Sequence, residues 1–150
     1  MNILLNKTYL FFFLIIPLIL AVSFYKPKET LDVNIGDVYY VIKHPHLGIV
    51  LSFFYLILGV VYYFLIKNDI QLSNWIIYSH TVLSIGGLIL IWLLLQKKFH
   101  PSANFEETLR AIKIDKYFTY ITVTTFFGIL LSQIVFLIGI IIKLIKAYCR

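Results

Sequence analysis

Charge is scarce in this chain. Of its 150 residues only 13% are Asp, Glu, Lys or Arg, while 61% are hydrophobic. Soluble domains carry about 25% charged and about half apolar residues. This balance, with a mean hydropathy of +0.91, excludes an ordinary soluble globular domain. Cysteine is nearly absent as well. The single Cys149 rules out an internal disulfide and any multi-cysteine metal site. Hydrolytic and nucleotide motifs are missing too: there is no G-x-S-x-G, no H-E-x-x-H and no Walker-type loop. The net charge of +6 and pI of about 9.4 do not make a nucleic-acid footprint. The basic residues flank apolar runs, as Lys143, Lys146 and Arg150 do beyond the last one, where they suit anionic lipid headgroups.

What is present is four long stretches without a charge: Thr8–Tyr25, His44–Ile66, Ile70–Gln96 and Tyr117–Ile142. Each has the roughly 18–20 residues that carry a helix across about 30 Å of hydrocarbon. The alternating segments of about 10 residues that mark a β-barrel are absent. The expected fold is an all-α integral membrane protein, a single membrane domain over 1–150. Its four transmembrane helices cover about 8–25, 46–66, 72–96 and 117–142. The first could be read as a signal peptide, with Lys7 before an apolar run and Ala21 and Ser23 at a cleavage point. Its length favours a retained helix.

The connections are Lys26–Lys43, Lys67–Asp69 and Lys97–Lys116. In the last of these, Asn104 and Glu107 have capping spacing, and Phe105, Leu109 and Ile112 recur at helical intervals beside Arg110 and Lys113. That pattern predicts a short amphipathic helix lying in the membrane interface before the final span. Gly86-Gly87 and Gly128-x-x-x-Ser132 are expected to allow close helix approach. Polar residues inside the spans include Ser79, His80, Thr81, Ser84, Thr122, Thr124, Thr125 and Gln133. Hydroxyls bonding back to their own helices account for most of them. With no charged residue inside a span, a proton relay or ion-coupled transporter is not expected. Trp75, Trp92 and the tyrosines near segment ends read as interfacial belt residues.

The most distinctive stretch is Leu31–His46, LDVNIGDVYYVIKHPH, with two histidines one residue apart at the mouth of an apolar run. On a helix such residues point about 200° apart, so they cannot chelate one metal together but can each serve a site on opposite faces. The stretch resembles the H-D-T-Y-[YF]-V-x-x-H-F-H signature of the catalytic subunit of haem-copper oxidases, cytochrome c oxidase subunit I. Leu31-Asp32-Val33 is similar to the family's L-D-[VI], Asp37–Val41 to its D-T-Y-Y-V, and His80 with Gly87 to a weaker helix signature. The layout resembles the last four helices of that subunit, while the specific likeness covers about sixteen residues.

The resemblance implies that His44 and His46 are axial ligands of haem iron, with Asp37 and Tyr40 supporting the cofactor. Haem is then the one cofactor expected, if any is bound. It also implies an amino terminus on the inner side, whereas the positive-inside rule weakly prefers the reverse. Departures are plain. Gly36 stands where the family has a histidine that helps bind a magnesium or manganese ion. Pro45 replaces a phenylalanine and suits a helix beginning at that point. The copper ligands, the cross-linked tyrosine and the second ligand of the low-spin haem come in the family from helices this chain lacks. Oxygen reduction by this chain alone is therefore excluded.

Three readings follow. The first is a non-catalytic accessory or assembly partner of a respiratory complex, meeting oxidase subunits in the lipid bilayer. The second is a b-type haem protein of the membrane, with a second copy of itself or His100 completing the iron. The third is a membrane protein with no redox role, whose interfacial histidines are structural. Richness in Ile, Phe, Lys and Tyr suggests a bacterial source, and with it the cytoplasmic membrane.

Overall fold

The computed structural model of the chain describes residues 7–25, 27–35, 37–96 and 105–148. The elements run α1 (Thr8–Tyr25), β1 (Thr30–Ile35), β2 (Val38–Lys43), α2 (His44–Lys67), α3 (Asn74–Thr81), a π-helical turn (Val82–Gly86), α4 (Gly87–Leu95) and α5 (Phe105–Tyr148). Counting α3 to α4 as one rod, four helices are long and apolar enough to cross a membrane: Thr8–Tyr25, His44–Lys67, Asn74–Leu95 and Phe105–Lys146. The chain divides into two compact units, Met1–Gln71 and Leu72–Arg150.

In the first unit α1 and α2 pack antiparallel. Thr8, Phe12, Ile15 and Ile19 are the buried stripe of α1, spaced by four, three and four residues. They face Gly48, Ser52, Tyr55, Gly59 and Tyr62 of α2, which repeat at the same intervals. In hydrocarbon there is no hydrophobic gain in joining two apolar helices, so close packing has to supply the attraction. Glycine makes that possible at two points. A Cβ on Gly48 would strike the Ser23 side chain, and one on Gly59 would lie 2.6 Å from the Phe13 ring. Aromatic rings fill the space between. Phe12 stacks on Tyr62 with centroids 5.1 Å apart and lies 6.0 Å from Tyr55, and Tyr9 meets Tyr63 edge-on at 5.6 Å.

The end of α2 is built mainly by backbone hydrogen bonds. Asp69 N–H donates to Ile66 C=O and Ile70 N–H to Leu65 C=O, with Asp69 at φ 53°. This is a Schellman motif with aspartate in the left-handed position that usually takes glycine. Asn68 adds a side-chain bond to Phe64 C=O at 2.8 Å.

In the second unit the α3–α4 rod lies antiparallel against α5. A Cβ on Gly139 would sit 3.0 Å from Ile76, and one on Gly87 would sit 2.9 Å from Ile129. Of the small residues expected at helix contacts, Gly87 and Ser132 are buried there, while Gly86 and Gly128 face open space. The rod itself is not regular, because Val82–Gly86 opens into a π-turn.

Two expectations need correction. The fold is not wholly helical, because the Lys26–Lys43 connection carries an antiparallel ribbon whose register runs from Thr30↔Lys43 to Ile35↔Val38. Nor is there a separate interfacial helix before the last span. Phe105 to Tyr148 is one continuous helix of 44 residues. Nothing from Phe105 to Phe127 breaks it, since that stretch holds neither proline nor glycine. Charged residues such as Asp115 and Lys116 set where a helix leaves hydrocarbon, not where it stops. At about 1.5 Å per residue α5 is roughly 66 Å long, twice a bilayer core. Asn104, the expected cap, lies outside the described residues.

Candidate functional site

The head of α2 holds the histidine pair. Lys43 is extended, with φ −67° and ψ 139°, and the helix begins at His44 with Pro45 in its first turn. Proline is at home there, because a first-turn residue has no carbonyl partner to lose. Pro45 therefore starts this helix and does not kink it. The backbone N–H of His44 donates to Glu29 C=O at 3.1 Å. Its Nδ1 lies 3.9 Å from a Glu29 carboxylate oxygen, with both side chains about one-third exposed. His44 thus closes the base of the ribbon against the residue just before β1. His46 is exposed.

The other residues expected at this site are spread along the ribbon. Tyr40 is exposed in the middle of β2, and Asp37 is exposed in the turn at its far end. With a rise of about 3.3 Å per residue, Asp37 is roughly 20 Å along the strand from the histidines. His44 and His46 come together in one helical turn, whereas Asp37 does not join them. Among the described residues no group of three or more His, Cys, Asp or Glu is gathered in a way that could hold a metal ion. His100 lies outside the described residues.

A second cluster is buried in the Leu72–Arg150 unit. His80, at 1% exposure, donates from Nε2 to Gln133 Oε1 at 2.8 Å. Gln133 Nε2 in turn donates to Ser84 Oγ at 2.8 Å. The His80 ring stacks on Phe136 with centroids 4.2 Å apart and planes 17° from parallel. The π-turn places both partners. Residues four apart on a regular helix drift by about 40°, and the wider turn absorbs that drift, so His80 and Ser84 both reach one glutamine. Such bulges recur where a helix must re-aim side chains.

Hydroxyls returning to their own helices are only part of the account of the polar residues. Ser79 does bond Ile76 C=O at 3.2 Å, and Ser132 bonds Ile129 C=O at 2.7 Å. His80, Ser84 and Gln133 are instead bonded across helices. The signal in the sequence was a histidine and a serine four apart inside one uncharged stretch and a lone glutamine inside another. Nothing local said that they meet.

The chemistry of this cluster is that of a lock. Its members are one imidazole, one amide and one hydroxyl, and the amide of Gln133 holds the other two. In hydrocarbon such bonds join helices because no water competes for them. Fold and sites together define a helical protein with four helices able to cross a membrane and an internal polar clasp. No known protein family, curated protein or solved structure matches this chain.

Proposed function

We propose that this chain is a non-catalytic polytopic membrane protein that acts as an accessory or assembly partner of a respiratory oxidase in a bacterial cytoplasmic membrane. The membrane part is carried by one observation. Large apolar side chains stand exposed along every long helix, among them Leu14, Phe53, Val82, Phe127 and Leu131, while His80, Gln133 and Ser84 satisfy one another inside. That is the reverse of a water-facing surface and is what lipid selects. The respiratory part is supported by the likeness of Leu31–His46 to the oxidase signature, together with the histidine pair at the head of a long apolar helix.

The test is purification from host membranes in mild detergent. The accessory reading expects the chain to resist alkaline extraction and to co-migrate with a haem-containing oxidase complex. Release by alkali would defeat the membrane reading, and recovery as a lone species without oxidase would defeat the respiratory one.

The exposure of His46 supports a second reading, in which the chain itself binds haem. His44 is engaged by Glu29, so His46 would take the iron, its second axial position filled by another copy. Here a reduced-minus-oxidised optical spectrum of the protein purified with haem decides. The haem reading expects sharp α-bands that His46→Ala abolishes and His80→Ala leaves intact. A featureless spectrum, or equal loss in both variants, returns the choice to the accessory reading.

A further inference from the structure

The ribbon between α1 and α2 leaves every residue of β2 exposed. Cross-strand neighbours share a face of a sheet, and alternate residues of β2 do too. Val38, Tyr40 and Ile42 therefore form one set, in register with Ile35, Val33 and Leu31. Every position of that set is apolar. The other set pairs Tyr39, Val41 and Lys43 with Asn34, Asp32 and Thr30. The two sets differ in chemistry by register, and β2 is exposed on both: Val38, Tyr40 and Ile42 at 51%, 48% and 37%, Tyr39 and Val41 at 62% and 56%. An isolated two-stranded ribbon is at best marginal in water and needs something to cover its apolar side.

Its tether says what does. β2 runs into α2 with no spacer, and only a few residues separate α1 from β1. Both ends of the ribbon are therefore held at the level where a membrane helix pair meets the headgroups. Upright, the ribbon would lift its apolar face roughly 20 Å into water. Lying down, it sets that face on lipid, keeps the polar register positions toward water, and places Tyr40 at the depth tyrosine prefers. Lys28 and Lys43, both exposed at the base, reach headgroup phosphates from there.

We infer that the β1–β2 ribbon is a monotopic membrane contact, its Val38–Tyr40–Ile42 face resting on the headgroup–acyl boundary of the bilayer that α1 and α2 cross. The inference rests on the membrane-spanning reading and adds a surface that the hydropathy of the chain does not show.

Spin-label accessibility in nanodiscs of phosphatidylcholine with a minority of phosphatidylglycerol tests it, on a Cys149→Ser background of the full chain. Single cysteines are placed at Tyr40, Ile42 and Val41, with Ile57 on the exposed side of α2 as a reporter of the span. Unchanged helical circular dichroism qualifies each variant. The expected result is that labels at Tyr40, Ile42 and Ile57 collide mainly with oxygen, several-fold more than the label at Val41, which collides mainly with a water-soluble nickel chelate. If Tyr40 and Ile42 behave as Val41 does while Ile57 stays lipid-like, the ribbon stands in water and the inference fails alone. If Ile57 is itself open to nickel, the spanning reading fails and takes the inference with it. Spin–spin broadening at Tyr40 that vanishes on dilution with unlabelled chain would show the face covered by a second copy, which also overturns it.

Discussion

The two units hold their helices together by different means. Between α1 and α2 the contact is shape: glycines at Gly48 and Gly59 bring the backbones close, and Phe12, Tyr55 and Tyr62 stack in the space left. Between the α3–α4 rod and α5 the contact is centred on a bonded polar clasp, with His80, Gln133 and Ser84 meeting beside Phe136. Both answer the same problem, that apolar burial gives no net attraction between helices already in lipid. Packing tolerates no added volume. Hydrogen bonding tolerates no lost partner. The same kind of substitution should therefore have opposite weight in the two units.

The largest expected effect comes from adding bulk. Gly59→Leu drives a side chain into the Phe13 ring and should destabilise the first unit by about 3 kcal/mol. Gly128→Leu, in the second unit and facing open space, should change stability by no more than about 0.5 kcal/mol. Unfolding in mixed detergent micelles followed by circular dichroism reads both. Equal costs at the two glycines would show that close approach is not what binds α1 to α2.

Removing a partner should hurt the second unit. Gln133→Leu keeps the volume but removes the bonds that join His80 and Ser84 to α5, at a cost of about 1–2 kcal/mol. A double-mutant cycle with His80→Ala should return a coupling of about 0.6–1.7 kcal/mol. Additive single effects would mean that the clasp contributes shape only.

Smaller effects sharpen the contrast. The Asp69 backbone holds the left-handed position of the α2 cap, so Asp69→Gly should stabilise the first unit by about 0.5–1 kcal/mol. A loss of stability instead would mean that the aspartate side chain holds the cap. Least of all, Ser52→Ala should be nearly neutral, within about 0.5 kcal/mol, or slightly stabilising. Its Oγ is buried with no hydrogen-bond partner among the described residues, so it serves α2 as a small residue. Ser84→Ala, which strands the Gln133 amide, should cost more than Ser52→Ala under the same assay. A reversed order would erase the distinction between the units.

Much of the architecture was readable from local chemistry. An uncharged run of sufficient length makes a helix whatever its neighbours are: three of the four runs fall within a long helix, and the run Ile70–Gln96 contains the helical rod Asn74–Leu95. The start of α2 was legible too, because Pro45 suits a first turn and few other helical places. The ribbon was not foreseen, although Leu31, Val33 and Ile35 alternate with polar residues and Gly36-Asp37 is a two-residue hairpin composition. The oxidase likeness drew attention to Asp37 and Tyr40 as neighbours of the histidines, and strand geometry instead carries Asp37 to the opposite end. The separate interfacial helix failed for a related reason: amphipathic spacing shows that a segment is helical, not that it ends.

By itself the sequence determined how many helices could cross a membrane, because hydropathy and charge add up residue by residue along the chain. Only the tertiary structure decided which residues meet. Whether Gly59 faces Phe13, or His80 reaches Gln133, depends on the rotational phase of one helix against another. In the second unit a single extra residue in the π-turn at Val82–Gly86 sets that phase. Partnership across helices is a property of two surfaces at once, and no run of residues carries it alone.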